Sequence, residues 1–169
     1  MERFNLKPMS KDAVPSAIAK AERYRLLNEP GEAESICLDV LQIDPQNEEA
    51  LVMLLLAVTD QFPHDSSART VSRANELAAR LGTDYDRAYY SGIIRERRAK
   101  AVLERGRFGA TAVAIEWLRE AMTFYDRAES IRPAHNDDSL LRWNACARLL
   151  MELPAPAPDL HEPEPLQLE

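Results

Sequence analysis

The chain has 169 residues, a hydrophobic fraction of 46%, a net charge of −7 and only 5 glycines. This length suits one compact domain, and the acidic balance argues against general attraction to nucleic acid or anionic lipid, because both need a basic surface. Residues that favour strands never gather into alternating runs, whereas strong helix formers are abundant. The sequence therefore predicts an all-α protein.

The two cysteines, Cys37 and Cys146, belong to no paired motif, so we predict neither a disulfide framework nor an oxidising compartment. The first residues lack the apolar stretch of a signal peptide, and the longest apolar run, residues 50–58, is too short to cross a bilayer. These features predict a cytoplasmic protein that has no membrane partner.

Proline, glycine and capping residues divide the first half of the chain into helices. A first helix begins near residues 12–15 and is broken by the Asn-Glu-Pro-Gly segment at 28–31. A second helix is predicted over residues 32–43, because the residue before Pro45 disfavours helical backbone. Asn47 is the predicted N-cap of a third helix that reaches about residue 61.

Similar signals predict the remaining helices. Asp65 or Ser66 caps a fourth helix, and Gly82 ends it in the usual C-terminal manner. The last three helices are predicted over residues 84–105, 110–131 and 138–152. We accordingly divide the chain into a flexible lead-in at 1–11, a helical domain at 12–153 and a tail at 154–169. The tail is rich in proline and acid, a composition typical of disorder.

Several residues recur at the spacing of a 34-residue helical hairpin. Within residues 14–47, Tyr24 takes the large aromatic position of the first helix and Ala33 the small position where two helices cross. Later in the chain, Gly92 takes a close-crossing position. The same pattern continues with Ala121, Tyr125, Ala128 and Pro133. Residues 14–152 thus resemble a tetratricopeptide-repeat protein, and also resemble bacterial proteins of that kind.

The resemblance implies an α-α superhelix of about seven helices, in which three hairpins and a closing helix form a concave groove. The first helix of each hairpin would line this groove. The predicted groove residues are Glu22, Arg25, Val52, Leu56, Thr59, Tyr89, Tyr90, Ile93, Glu96 and Arg97. Aromatic and arginine side chains beside apolar ones are frequent in binding hot spots, so the groove is expected to hold a partner peptide or protein.

Residues 87–107 contain seven basic and two acidic side chains. We predict that Arg95, Arg98 and Arg105 form a basic patch that the acidic tail, or an acidic partner segment, visits transiently. A solvated helix face is the alternative interpretation of this charge run.

The sequence shows no catalytic constellation. His64, His135 and His161 are scattered, and no glycine-rich phosphate loop is present, so we predict no enzyme, metal or cofactor. The leading hypothesis is an interaction module with a polypeptide partner of unknown identity. The alternatives are a self-assembling scaffold, which would form a homo-oligomer, and an RNA-binding accessory protein that uses the basic run.

Overall fold

A computed structural model describes residues 4–154. It contains seven α-helices, preceded by a single 3-10 turn at Lys11–Ala13, and no strand among the described residues. This result confirms the prediction of an all-α fold with about seven helices. The helices are α1 (Val14–Leu26), α2 (Pro30–Ile43), α3 (Glu48–Asp60), α4 (Ala68–Ala79), α5 (Asp84–Arg105), α6 (Ala110–Ser130) and α7 (Asp138–Glu152).

Three helices begin at a capping side chain. Asn47, Ser67 and Thr83 each accept a hydrogen bond from the backbone N–H three residues later, at 2.9, 3.4 and 3.0 Å. Each cap satisfies an amide that has no partner within its helix. Ser67 replaces the predicted caps Asp65 and Ser66 of α4, because Asp65 instead accepts from the Ser67 amide and so shapes the preceding turn.

Two helix ends differ from the prediction. α2 begins at Pro30, two residues early, because proline is well tolerated in a first helical turn. α4 ends at Ala79 with Arg80 in right-handed conformation, so Gly82 is not the left-handed cap that we predicted. The left-handed cap is found instead after α5, where Gly106 has a φ of 60°.

The helices pack in chain order, and each contacts the next. In addition, α1 contacts α3 and α3 contacts α5, so these three helices form one row. α2 and α4 each bridge two members of the row, and α6 lies between α5 and α7 in the packing order. Met9, from the predicted lead-in, packs beside Ile18 at the start of this arrangement.

Two large clusters of buried side chains make up most of the core. The first contains side chains from each of the five helices α1 to α5 and includes Leu51 and Phe62. The second contains side chains from α5, α6 and α7 around Tyr125. Leu56 and Tyr90 are half-buried and pack against both clusters. The two clusters therefore meet where α3 crosses α5.

The closest approach of α5 and α6 occurs at Gly92. A Cβ atom at this position would lie 2.5 Å from Cε1 of the fully buried Tyr125 ring, which is closer than two non-bonded carbon atoms can approach. The prediction that Gly92 marks a close crossing is therefore confirmed. Ala33 and Ala128, the other predicted small positions, are also fully buried.

Gly92→Ala is expected to destabilise the protein. Overpacking a buried crossing costs about 1–3 kcal/mol, which outweighs the ~1 kcal/mol that alanine gains over glycine as a helix former. In a Tyr125→Leu background the ring is gone, and the same exchange should be neutral or stabilising. Urea unfolding of the four proteins measures this difference, and an equal cost in both backgrounds would show that the ring is not the obstacle.

Candidate functional site

One line of side chains on α3 remains accessible. After its first two residues α3 is buried, except for Val52, Leu56 and Asp60, which recur every four residues and are half-exposed. Such spacing places the three side chains on one face of the helix. Val52 and Leu56 were both predicted to line the groove, and Asp60 extends the same line toward the end of α3.

Asp60 joins three helices of the row. Its Oδ2 atom accepts from Nε of Arg25 at 2.7 Å, and its Oδ1 atom accepts from Nη1 of Arg97 at 2.6 Å. The same Nη1 atom also contacts the carbonyl oxygen of Leu56 at 2.9 Å and the hydroxyl of Thr59 at 2.6 Å. Burial lowers the pKa of Arg97, while the charge of Asp60 opposes this effect. The predicted groove residues Arg25, Thr59 and Arg97 are thus brought together by a carboxylate that the sequence analysis did not select.

A second ionic cluster surrounds Glu96, whose side chain is only 1% exposed. Tyr125 donates its hydroxyl to Oε2 at 2.6 Å, and Nζ of Lys100 lies 2.5 Å from Oε1. Arg142 approaches Oε1 from α7 at 3.3 Å. Burial alone would raise the pKa of Glu96, but the hydrogen bonds from Lys100 and Tyr125 outweigh it and hold the pKa below its usual 4.5.

The two clusters adjoin at Glu96 and Arg97, consecutive residues of α5, and we call their charged side chains together the groove network. Four basic side chains face two carboxylates, an excess of two positive charges in a chain whose net charge is −7. Lys100 and Arg142 are its most accessible members, with 50% and 41% of their side chains exposed. The groove network comprises Arg25, Asp60, Glu96, Arg97, Lys100 and Arg142.

Tyrosine side chains border the groove network. The rings of Tyr85 and Tyr89 stack with centroids 5.8 Å apart, and Tyr90 meets Tyr89 edge-on at 5.1 Å. Burial raises the pKa of Tyr90 to about 12, so its hydroxyl stays protonated at neutral pH. Tyr89 and Tyr90 are half-buried and therefore offer a rigid aromatic edge beside the charged side chains.

Three predicted groove residues do not reach the surface. Ile93, Thr59 and Glu96 are 2%, 1% and 1% exposed. Ile93 belongs to the second core cluster, and the hydroxyl of Thr59 donates to the carbonyl of Leu55 at 2.9 Å. Arg97 covers the hydroxyl of Thr59, and Tyr125 and Arg142 cover the carboxylate of Glu96. A fourth predicted residue, Glu22, is exposed on α1.

Arg95 and Arg98 do not form an open basic patch. Nη1 of Arg95 donates to Oδ1 of Asn75 at 2.7 Å, and its guanidinium lies 4.9 Å from the centroid of the Phe124 ring. The guanidinium of Arg98 lies over Trp117 at 3.9 Å. Both arginines therefore connect α5 to the helices beside it.

Arg105 binds the loop between α3 and α4. Its guanidinium donates to the carbonyl oxygen of Phe62, to that of Pro63 at 3.0 Å, and to the hydroxyl of Ser66 at 2.7 Å. The expected contact between the basic patch and the acidic tail falls on residues 155–169, outside the described part of the chain. Within it, the predicted patch is largely occupied by internal contacts.

Neither a metal cluster nor an ionised thiol is found among residues 4–154. Within residues 4–154, no group of three His, Cys, Asp or Glu side chains is placed to hold a metal ion. Burial raises the pKa of Cys37 and of Cys146 to about 12, so neither thiol ionises at neutral pH. None of the described helices combines the length and the apolar character needed to cross a bilayer.

Comparisons with protein family models, curated proteins and solved structures find no match to this chain. The class of protein is therefore defined by the fold itself. Residues 4–154 form an all-α fold of seven helices, each packed against its neighbours in the sequence.

The Glu96 cluster predicts a dependence of stability on acid. Because the folded-state pKa of Glu96 is lowered, its carboxylate stabilises the fold above the unfolded-state pKa, and this contribution is lost as the pH falls through the folded-state pKa. Glu96→Gln should cost about 1–3 kcal/mol at pH 7, the range for a lost charged hydrogen bond, and progressively less below about pH 4.

Chemical unfolding of both proteins across acidic and neutral pH measures the difference. Glu104→Gln, the same exchange at an exposed position of α5, controls for the change in overall charge. A Glu96→Gln cost that stays constant down to the acid end would contradict the assignment.

Proposed function

We propose that this chain is an interaction module of the tetratricopeptide kind, which binds a partner polypeptide along the row of α1, α3 and α5. The observation that carries the proposal is the groove network, since it places partly exposed cations from several helices beside half-buried Leu56 and Tyr90. The hairpin spacing of the sequence supports the same function, because such rows of first helices form peptide grooves.

The chemistry of the groove network indicates what the partner carries. Its excess of two positive charges favours a segment with acidic residues, and the adjacent line of Val52 and Leu56 favours apolar side chains between them. Asp60 and Glu96 hold the basic side chains in place before a partner arrives. Less conformational entropy is then lost on binding.

A photo-crosslinking amino acid at Val52 tests this proposal in the native cell. The matched control carries the same amino acid at Lys20, which is exposed on α1 and faces away from Ile18 and the core. We expect a polypeptide of defined sequence to crosslink at Val52 and not at Lys20. The absence of any crosslink specific to Val52 would contradict the proposal.

Self-assembly is the second candidate, because α7 exposes 61% of Leu141 and 78% of Met151. A particle mass in solution that rises with concentration to twice the 19.1 kDa chain mass would favour this candidate. Crosslinks to RNA instead of protein would favour the RNA-binding alternative.

Once a partner segment is mapped, Lys100→Gln should weaken its binding and Lys20→Gln should not, because only Lys100 belongs to the groove network.

A further inference from the structure

A cleft of about 390 Å³ lies where α4, α5 and α6 meet. Its α5 residues, including Ser91 and Arg95, point away from the side of the helix that carries Arg97, because residues 95 and 97 are about 160° apart around a helix axis. Small side chains such as Ala78 and Ala88 line it, so a ligand can approach the backbone closely. The cleft is thus separate from the groove network.

The cleft is basic although the chain as a whole is acidic. Arg87, Arg95 and Arg127 line it together with a single carboxylate, Asp84, and a second carboxylate, Glu120, lies 3.6 Å from Arg95 outside the lining, so basic groups outnumber acidic ones. The hydrogen bond from Arg87 lowers the pKa of Asp84 below its usual 3.8, and the charge of Arg127 adds to this effect. Asp84 and Arg87 are in direct contact, and Arg127 lines the same cleft.

Arg95 is held in place and keeps hydrogen-bonding capacity. Its Nη1 atom donates a hydrogen bond to Asn75, and its guanidinium packs against the ring of Phe124. Its Nε atom is shielded from solvent and has no hydrogen-bond partner, since the nearest carboxylate oxygen, Oε2 of Glu120, lies 3.6 Å away. The hydrogen bond to Asn75 and the Phe124 ring therefore fix this guanidinium beside the cleft.

The other two arginines differ in how firmly they are held. Arg87 donates to Oδ1 of Asp84 at 2.8 Å and to the carbonyl of Leu81. Arg127 is exposed on α6 and forms no ion pair with a carboxylate among residues 4–154. Its guanidinium is therefore available to a ligand without the loss of an existing contact.

We propose that this cleft binds a phosphate monoester. Three guanidinium groups at one cleft favour an anion with several acceptor oxygens, and a phosphate ester offers three of them where a carboxylate offers two. Planar guanidinium groups bind phosphate oxygens in pairs, and three of them can serve the three outer oxygens of the ester. The cleft is larger than a phosphate group alone, so the organic part of the ester lies against Phe124 and the small side chains.

Calorimetric titration of the full chain tests the proposal with three phosphorylated probes: glucose 6-phosphate, O-phosphoserine and a phosphoserine peptide. The unphosphorylated forms serve as controls. Binding of all three probes would assign the cleft to phosphate esters in general, and binding of the peptide alone would assign it to phosphorylated protein segments. The proposal is overturned if no phosphorylated probe binds up to about 10 mM, or if unphosphorylated forms bind equally well.

Three variants locate the site. Arg127→Gln should weaken binding about tenfold or more, because a charge-assisted hydrogen bond is lost. Arg119→Gln makes the same change at an exposed position of α6 outside the cleft and should have no effect. Asp84→Asn should tighten binding several-fold, because it removes the carboxylate that competes for Arg87.

A poorly folded variant would lose affinity. A gain of affinity in Asp84→Asn therefore distinguishes a direct effect on binding from an effect on folding. Equal weakening of binding by Arg127→Gln and Arg119→Gln would show that only general charge attraction acts, and would contradict the proposed site. An Asp84→Asn variant that binds no more tightly than the natural protein would also contradict it. Crosslinking at Val52 is independent of these outcomes, because Val52 belongs to the α1–α3–α5 row.

Discussion

Replacing Tyr125 by alanine is expected to lower the free energy of unfolding by about 3–5 kcal/mol, the usual cost of deleting a buried aromatic ring. Tyr125 is fully buried and lies against Gly92, where α5 and α6 come closest. Without the ring, neither Gly92 nor Ala121 offers a side chain large enough to fill the space. Urea unfolding followed by circular dichroism measures the loss.

Tyr125→Phe separates the ring from its hydroxyl. The phenylalanine keeps the packing but removes one donor from the buried carboxylate of Glu96, which it reaches at 2.6 Å. We expect a cost of about 1–3 kcal/mol, smaller than that of alanine. If phenylalanine were as damaging as alanine, the hydroxyl and not the ring would be the main contribution of this residue.

Phe62→Ala is expected to be the other large effect, again about 3–5 kcal/mol. Phe62 lies in the loop between α3 and α4, yet its side chain is fully buried in the first core cluster. The loop backbone is bonded to Arg105, which limits how far it can move to fill the cavity. A cost of this size lowers the melting temperature of a domain of this length by roughly 6–20 °C.

Phe108→Ala is the matched control, because Phe108 also lies in a loop but is fully exposed. Its effect should stay within about 0.5 kcal/mol. Similar melting temperatures for the two variants would show that Phe62 does not belong to the core.

The features that the sequence predicted depend on short-range signals. The seventh helix occupies Asp138–Glu152 as predicted, since an acidic start and a proline after its end define it locally. Gly92 was identified as a crossing point from its position in the hairpin repeat, where a small residue allows two helices to approach closely. Val52 and Leu56 were assigned to the groove side of α3 through the repeat resemblance, together with Thr59, which is buried.

The features that were missed depend on contacts between distant parts of the chain. Glu96 looked like a groove residue, but its partners Tyr125 and Arg142 follow it by 29 and 46 residues. The pattern of one helix does not reveal which other helices cover it. Arg105 looked like part of an open basic surface for the same reason, since its acceptors lie in a loop 39–43 residues earlier.

The position of Asp60 has a consequence for how the molecule unfolds. Arrays of helical hairpins usually hold together through nearest neighbours, so they tend to open from their ends. The carboxylate of Asp60 binds α1 through one oxygen and α5 through the other. Detachment of the first hairpin would break the contact with Arg25 and leave Asp60 paired with the half-buried Arg97 alone. We therefore expect the amides of α1 to exchange as slowly as those of α5. In Asp60→Asn, the amides of α1 should exchange faster than those of α5.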